Sequence, residues 1–346
     1  MALKAKNHTV WLASHNASND DGVIDLGKLS GYSDYLKFGQ INKIVKDLNP
    51  DVVHAHVLNH YGLMSLMQPK PLVVALWGSD VMLAPHTGLW IKKYIYKKIN
   101  ALVLRIAARC HTSGHHVAAE ADKQYGGALA KTKIFYWGFP LSRPNENELN
   151  DVARNLKAEF GIKSSEKYIV FPRGLGEVYN PRLVARIIRK IMKGIDSSKR
   201  IVVLKGFATK RDEELFSCAI PLAEITYINR LMTDSELYYL YSKTFVHVSV
   251  PVSDSLGGGV IEPTLLGSFP VLSSLPSYQQ YALRNPAHII PSEQDSELDV
   301  AAQVILSKTD IPKCTEVPAE YLSDHVVEEL ECLYIDAINK KYIPCG

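Results

Sequence analysis

Short runs rich in β-branched and aromatic residues alternate with stretches of helical spacing along this chain, and that alternation restricts the fold more than any other feature. VWLAS (10–14), DVVHAH (51–56), LVVALWGSD (72–80) and KIFYWGF (133–139) are the strand candidates of the first part. YIVFPRG (168–174), RIVVLKGF (200–207), ITYINRL (225–231), FVHVSVPVSD (245–254) and FPVLSS (269–274) are those of the second. Between them apolar residues recur on one helical face: Leu36, Ile41, Ile44, Val45 and Leu48 within Tyr35 to Leu48, then segments 181–193, 211–218, 234–243 and 260–267. Strands alternating with helices predict parallel sheets covered on both faces. The 346 residues leave room for two such doubly wound α/β domains. FPLSRPNENELND (139–151), rich in proline, asparagine and acids, reads as the linker between them. A last amphipathic stretch, VVEELECLYIDAINKKY (326–342), offers Val327, Leu330, Leu333 and Ile338 as core contacts.

Composition narrows the class. The chain is 47% hydrophobic and 22% charged, as in soluble globular proteins. No apolar run approaches the roughly 18 residues that span a bilayer, and MALKAKNHTVWLASHNASNDD lacks the apolar core of a signal peptide. Both point to a cytoplasmic protein. Cys110, Cys218, Cys314, Cys332 and Cys345 are scattered and lack metal-ligand spacing, so free thiols and no metal site are expected. Residues 1–145 hold 17 Lys and Arg against 9 Asp and Glu, whereas the remainder is net acidic. A basic first half suits a phosphorylated acceptor or an anionic membrane surface. LWIKKYIYKKINALVLRIAARC (89–110) sharpens the second option: Trp90, Tyr94, Tyr96 and four lysines fit a helix at the inner face of a membrane, although a helix packed on a sheet fits equally. Nothing in the chain carries a nucleic-acid recognition signature.

In open α/β sheets ligands bind beyond the carboxyl ends of the strands, so the informative residues are those at strand ends. VSVPVSDSLGGGVIEPTLLGSFPVLSS (248–274) is the strongest cluster. A strand ends near Asp254, and Gly257, Gly258 and Gly259 then open a helix that carries Val260 and Glu262. Glycines admit a ligand close to the backbone, and a helix N-terminus favours phosphate. A carboxylate on that helix suits ribose hydroxyls. Cations at strand ends, Arg173 and Lys205, would stabilise negative charge on a diphosphate leaving group. In the first half His54, His56, Trp77, Ser79 and Asp80 hold comparable places, with Asp80 able to act on an acceptor hydroxyl and His56 to hydrogen-bond a substrate.

The segment around Asp254 and Glu262 resembles the C-terminal signature of glycosyltransferase family 4, in which two acids with seven residues between them precede a helix ending in a Gly-x-Pro-Val turn. Here Asp254, Glu262 and Gly267-Ser268-Phe269-Pro270-Val271 stand in those places, the first acid one methylene shorter than the usual Glu. PDVVHAHVLNHYG (50–62), LWGSD (76–80), ARCHTSGHHVAAEADKQYG (108–126), KIFYWGFP (133–140) and VFPRG (170–174) resemble other segments of the family in the same order. The resemblance implies a GT-B architecture, with two facing Rossmann-like domains and a cleft between them. Its domains would be residues 1–145 on the acceptor side and 146–324 on the donor side, with 325–346 as a helix crossing back. It implies transfer of a sugar from a nucleotide-diphosphate donor to a glycan or lipid-linked acceptor, with retention, no essential metal and no cofactor beyond the donor itself. By resemblance Glu262 holds the ribose, Arg173 and the Gly257–Gly259 loop the diphosphate, and Asp254 lies by the donor sugar. The family's lysine after the strand-end Arg is missing, since Val178-Tyr179-Asn180 stand there, and Lys205 is the substitute expected.

KNHTVWLASHN resembles the second strand of such proteins, so the first domain reads as shortened at its start. An uncovered sheet edge would follow, which a homodimer would close. Two alternatives stay open at this point: a non-catalytic nucleotide- or glycan-binding partner of a synthase, and a GT-B-fold nucleotide-sugar epimerase.

Overall fold

The computed structural model describes residues 2–17, 20–139, 142–206, 208–308, 319–321 and 323–339. The chain divides into two compact units, Met1–Gly138 with Ala319–Gly346 and Phe139–Pro318.

In the first unit β1 (Leu12–Ser14) and β2 (Val23–Asp25) form a parallel pair. A separate sheet follows, of β3 (Val53–His56), β4 (Leu72–Ala75), β5 (Arg109–Thr112) and β6 (Thr132–Ile134), all parallel and adjacent in chain order. Every residue of β4 is buried, which is why LVVA reads as a continuous apolar run. Alternation still sorts its side chains. Leu72 and Val74 pack with Val103, Leu104, Val117 and Ala121 from helices Trp90–Ile106 and His115–Tyr125. Val73 faces the opposite way, onto Phe135 and onto Val326, Leu330, Leu333 and Ala337 of the closing helix Ser323–Asn339. That helix is also tied by Arg109 to Asp336 at 2.5 Å and by Lys133 to Glu329 at 2.7 Å. Ile338, expected in the core, is 42% exposed, because Ala337 takes the inward position of that turn. Leu36 is likewise exposed: helix Phe38–Leu48 starts after it, and Tyr32–Leu36 forms a separate 3₁₀ turn.

The second unit holds β7 (Lys167–Phe171), β8 (Lys199–Leu204), β9 (Thr226–Ile228), β10 (Thr244–Ser249), β11 (Phe269–Ser273) and β12 (His288–Ile290). They form one parallel sheet in the order β12-β11-β10-β7-β8-β9. Counted from β7 this is the 3-2-1-4-5-6 order of a Rossmann sheet, which reverses between β7 and β10 and leaves a crevice at their carboxyl ends. The helices Pro181–Met192 and Asp295–Ser307 cover one face, burying Ile187, Ile188, Ile191, Leu298 and Ile305 against Ile169, Val203 and Val246. The other face carries Val152 and Leu156 of helix Glu146–Phe160, on Tyr168, Val170 and Val202. This last helix corrects the reading of 139–151 as linker throughout. Asn145 caps it by accepting the Glu148 amide, and Glu146 and Glu148 sit in its first turn, where acids favour the helix dipole. The same asparagines and acids that suggest a loop are its start signal. No helix among the described residues is long and apolar enough to cross a membrane.

The closing helix therefore belongs to the core of the first unit. Leu333→Ala, at a side chain 1% exposed, should cost about 2–4 kcal/mol in denaturant unfolding, whereas Ile338→Ala should leave the midpoint almost unchanged.

Candidate active site

The crevice between β7 and β10 is where the second unit gathers its polar residues. Arg173 leaves β7 two residues past its end, and its Nη2 donates to Asp254 Oδ1 at 2.6 Å. Asp254 Oδ2 accepts from the Gly257 amide at 3.1 Å and from the Tyr278 hydroxyl at 2.7 Å, while the Ser277 hydroxyl donates to its carbonyl at 2.9 Å. Asp254 is thus fully engaged in holding Arg173 and the glycine loop. The guanidinium also lies 5.2 Å from the Tyr179 ring centroid.

The three glycines have distinct steric reasons. A Cβ on Gly259 would stand 2.5 Å from Arg173 Cδ, and one on Gly257 would stand 2.7 Å from Arg173 Nη1. One on Gly258 would meet Glu262 Oε1 at 2.5 Å. The loop is bare because the charged side chains of the site lie directly on it. Gly258 and Gly259 begin helix Gly258–Leu265, whose first amides have no intrahelical partner by position. Val260 does not share this: its amide bonds to the Gly257 carbonyl at 2.9 Å and its side chain is fully buried, so it anchors the helix and offers a ligand nothing. Leu256 holds a left-handed backbone with φ 67°, as does Val57, φ 98°, just after β3. Strained non-glycine residues of this kind collect where loops clamp ligands.

A cavity of about 230 Å³ opens here. Arg173, Tyr179, Gly206, Arg230, Tyr241, Gly259 and Glu262 form its polar side, and Pro172, Leu204, Leu231, Met232 and Leu237 its apolar side. Glu262 has no hydrogen-bond partner among the described residues, and burial, reinforced by the charge of Asp234 and opposed by Arg173, pushes its carboxyl up to about 7. Arg230 is held on both sides, donating to both oxygens of Glu236 at 2.7 and 2.9 Å and to both of Glu159 at 2.7 and 2.9 Å. It fixes the wall rather than offering a free charge. Sequence reasoning missed it, although Thr233-Asp234-Ser235-Glu236 is a legible capping box and it is Glu236 that grips the arginine.

Lys205 corrects an expectation. It pairs with Glu213 at 3.0 Å, and that carboxylate also accepts the Tyr227 hydroxyl. Leu204 lines the cavity, and alternation along the strand sends the next side chain elsewhere.

In the first unit Asp80 is 2% exposed. Its Oδ2 accepts the Leu58 amide at 2.9 Å and its Oδ1 the Trp77 amide at 3.0 Å, while the Asn100 amide group donates to its carbonyl at 2.9 Å. Burial raises its carboxyl above the ordinary range. A carboxylate so enclosed ties the loops after β3 and β4 together; it is not presented to an acceptor hydroxyl, as expected of it. His54 is also structural, its Nδ1 2.8 Å from the Tyr334 hydroxyl of the closing helix. His56, at the end of β3, is exposed and has no hydrogen-bond partner among the described residues. Trp137 lies 5.2 Å from its ring and stacks on Trp77 at 5.2 Å and 10°. Among the described residues no group of three His, Cys, Asp or Glu is placed to hold a metal ion. Cys110, Cys218 and Cys332 are free; Cys314 and Cys345 lie outside the described residues.

Residues 1–108 match the family described as glycosyl transferase 4-like. No curated protein sequence matches the chain. Among solved structures, a glycosyltransferase from Rickettsia africae ESF-5 is similar over 98% of this chain and 93% of its own, with a TM-score of 0.69 at 14% identity. Sucrose-phosphate synthase from Thermosynechococcus elongatus is similar over 97% and 88%, with a TM-score of 0.70 at 13% identity. Anabaena HepE in complex with UDP-glucose is similar over 92% and 84%, with a TM-score of 0.61 at 14% identity. At such identities these structures establish the fold alone, and the family match is confined to residues 1–108. The chain has the GT-B fold and is glycosyl transferase 4-like in its N-terminal part.

Two outcomes follow from the two carboxylates. Glu262 binds its proton more tightly folded than unfolded, so it lowers stability as pH rises from about 4.5 through about 7. Glu262→Gln should therefore raise the melting temperature at pH 8, by up to about 3 kcal/mol of stability, and change little at pH 4, as read by calorimetry. Asp80→Ala should destabilise by about 2–4 kcal/mol in denaturant titration, because two buried amides lose their acceptor.

Proposed function

We propose that the second unit binds a nucleotide-diphosphate sugar in the β7–β10 crevice and that the enzyme transfers its sugar, with retention, to a hydroxyl of a glycan or lipid-linked acceptor. The observation that carries the reading is Glu262: a largely buried carboxylate, without a hydrogen-bond partner among the described residues, on the wall of a cavity that Arg173 also lines. Two ribose hydroxyls supply the donors such a group lacks. The apolar wall of Leu231, Met232 and Leu237 suits the base. Arg173 and the first amides of helix Gly258–Leu265 meet the diphosphate, whose charge grows as the glycosidic bond breaks. Asp254 acts through Arg173 by fixing its guanidinium, and Lys205 has no part in the site. The charge on the leaving group is met by these protein groups, and the reaction needs no metal. On the acceptor side His56 is the group free to bond a hydroxyl, and Asp80 is a positioning residue for the loops around it. UDP-glucose occupies the similar HepE structure, so uridine nucleotides head the list of donors.

Thermal unfolding against a panel of nucleoside diphosphates and nucleotide sugars tests this. A true ligand at about 100 times its dissociation constant adds roughly 2.7 kcal/mol of stability. Selective stabilisation by one nucleotide family is expected, abolished by Glu262→Ala and weakened more than about tenfold in affinity by Gly259→Ala, which displaces Arg173. Chelator should leave turnover unchanged. Wild-type protein indifferent to every nucleotide would overturn the reading.

A further inference from the structure

Helix Trp90–Ile106 of the first unit presents a face that no described element covers. The helix carries Lys92, Lys93, Lys97, Lys98 and Arg105 and not one acid, all but Lys93 at its exposed positions. Among the described residues none of these five cations is in an ion pair. At 100° per residue Ile91, Tyr94, Ile95, Lys98 and Leu102 share one side, opposite the buried Tyr96, Asn100, Val103 and Leu104. The apolar members of that side are open to water: Ile91, Tyr94, Ile95 and Leu102 are each about half exposed, and at the entrance to the helix Leu89 is 78% and Trp90 75% exposed. The helix itself is held firmly. Val103 and Leu104 sit in the core of the unit, and the Asn100 amide donates to the Asp80 carbonyl and to the Tyr125 hydroxyl. The exposed stripe is therefore a fixed surface about 20 Å long.

Apolar and cationic groups are interleaved here in a way that selects the occupant. The contact core of a protein–protein interface is depleted in lysine, whereas lysines beside Trp, Tyr and aliphatic residues suit a bilayer interface: the rings sit at headgroup level, the aliphatic side chains enter the acyl boundary and the ammonium groups reach anionic headgroups. One lysine already lies beside an exposed ring of this stripe, Lys98 Nζ at 5.3 Å from the Tyr94 centroid.

We propose that the face formed by Leu89, Trp90, Ile91, Tyr94, Ile95 and the lysines beside them is a docking surface for an anionic phospholipid bilayer, on which the enzyme lies without spanning it. The proposal does not depend on the donor site, and substitutions here leave nucleotide binding unchanged.

The test is co-sedimentation of the full chain with vesicles of phosphatidylcholine alone and of equal parts phosphatidylcholine and phosphatidylglycerol, at low and high salt. Binding to the anionic vesicles, at least about tenfold above that to neutral ones and falling with salt, is expected. Lys97→Gln with Lys98→Gln should lower it roughly 20-fold. Ile91→Ser with Ile95→Ser, at exposed positions that leave the fold intact, should lower it at least about tenfold. Vesicles should shift tryptophan emission to the blue, and Trp90→Phe should remove that shift. No binding to anionic vesicles, or binding that both pairs of substitutions leave intact, overturns the proposal. A dimer in solution abolished by Ile91→Ser with Ile95→Ser, or binding to polyanionic nucleic acid, without vesicle binding overturns it equally, in favour of a second copy of the chain or of nucleic acid.

Discussion

The ion pair between Arg173 and Asp254 joins the two strands at which the sheet of the second unit reverses its order. β7 delivers the cation and β10 the anion, and neither strand end would hold its side chain in place alone. With both in place, the loop after β10 can be three bare glycines, since the guanidinium lies against Gly257 and Gly259 where side chains would otherwise stand. The same acid accepts the Gly257 amide and the Tyr278 hydroxyl, so the start of the next helix and the segment after β11 are referred to it as well. Helix Gly258–Leu265 then carries Glu262 to the cavity. Geometry at the candidate donor site descends from one pair of charges.

Much of this was legible in the sequence because it depends on periodicity and spacing. LVVA at 72–75 announces a strand buried on both faces, and the run of five strand candidates alternating with helical segments after residue 160 announces a doubly wound sheet. The glycine run announces a close approach. What it does not announce is what approaches, which here is the protein's own Arg173 and Glu262. Lys205 shows where reading by position fails. A one-residue difference along β8 separates a side chain on the cavity from one paired with Glu213, and strand ends in sequence are uncertain by more than that. Asp80 fails differently: a carboxylate beside a strand end looks reactive until the two amides that enclose it are seen, and those come from residues 3 and 22 positions away. β2 and β12 are three residues each and, unlike the equally short β1, β6 and β9, do not fall in one of the longer β-rich runs that declare a strand in sequence.

The polar residues around the cavity divide by whether the protein completes them. Arg230 has two carboxylates and Asp254 three donors, and these are the rigid parts. Glu262 has no hydrogen-bond partner among the described residues, and burial, with the charge of Asp234, raises its proton affinity at a cost to the folded state. Natural selection tolerates such a cost where a ligand repays it on binding.

Asp80 has a consequence for how this protein can change. Its two oxygens receive one amide from the loop after β3 and one from the loop after β4, so those loops share a single anchor. An insertion or deletion in either shifts an amide away from a carboxylate that has no water to turn to. Diversity in the two loops must therefore arise together or around fixed Leu58 and Trp77. In directed evolution, a library that varies one loop across its anchor residue will lose most members to misfolding. One that keeps 58, 77 and 80 and the buried β4 constant, and varies only exposed positions of the two loops, leaves the new surface on an intact frame.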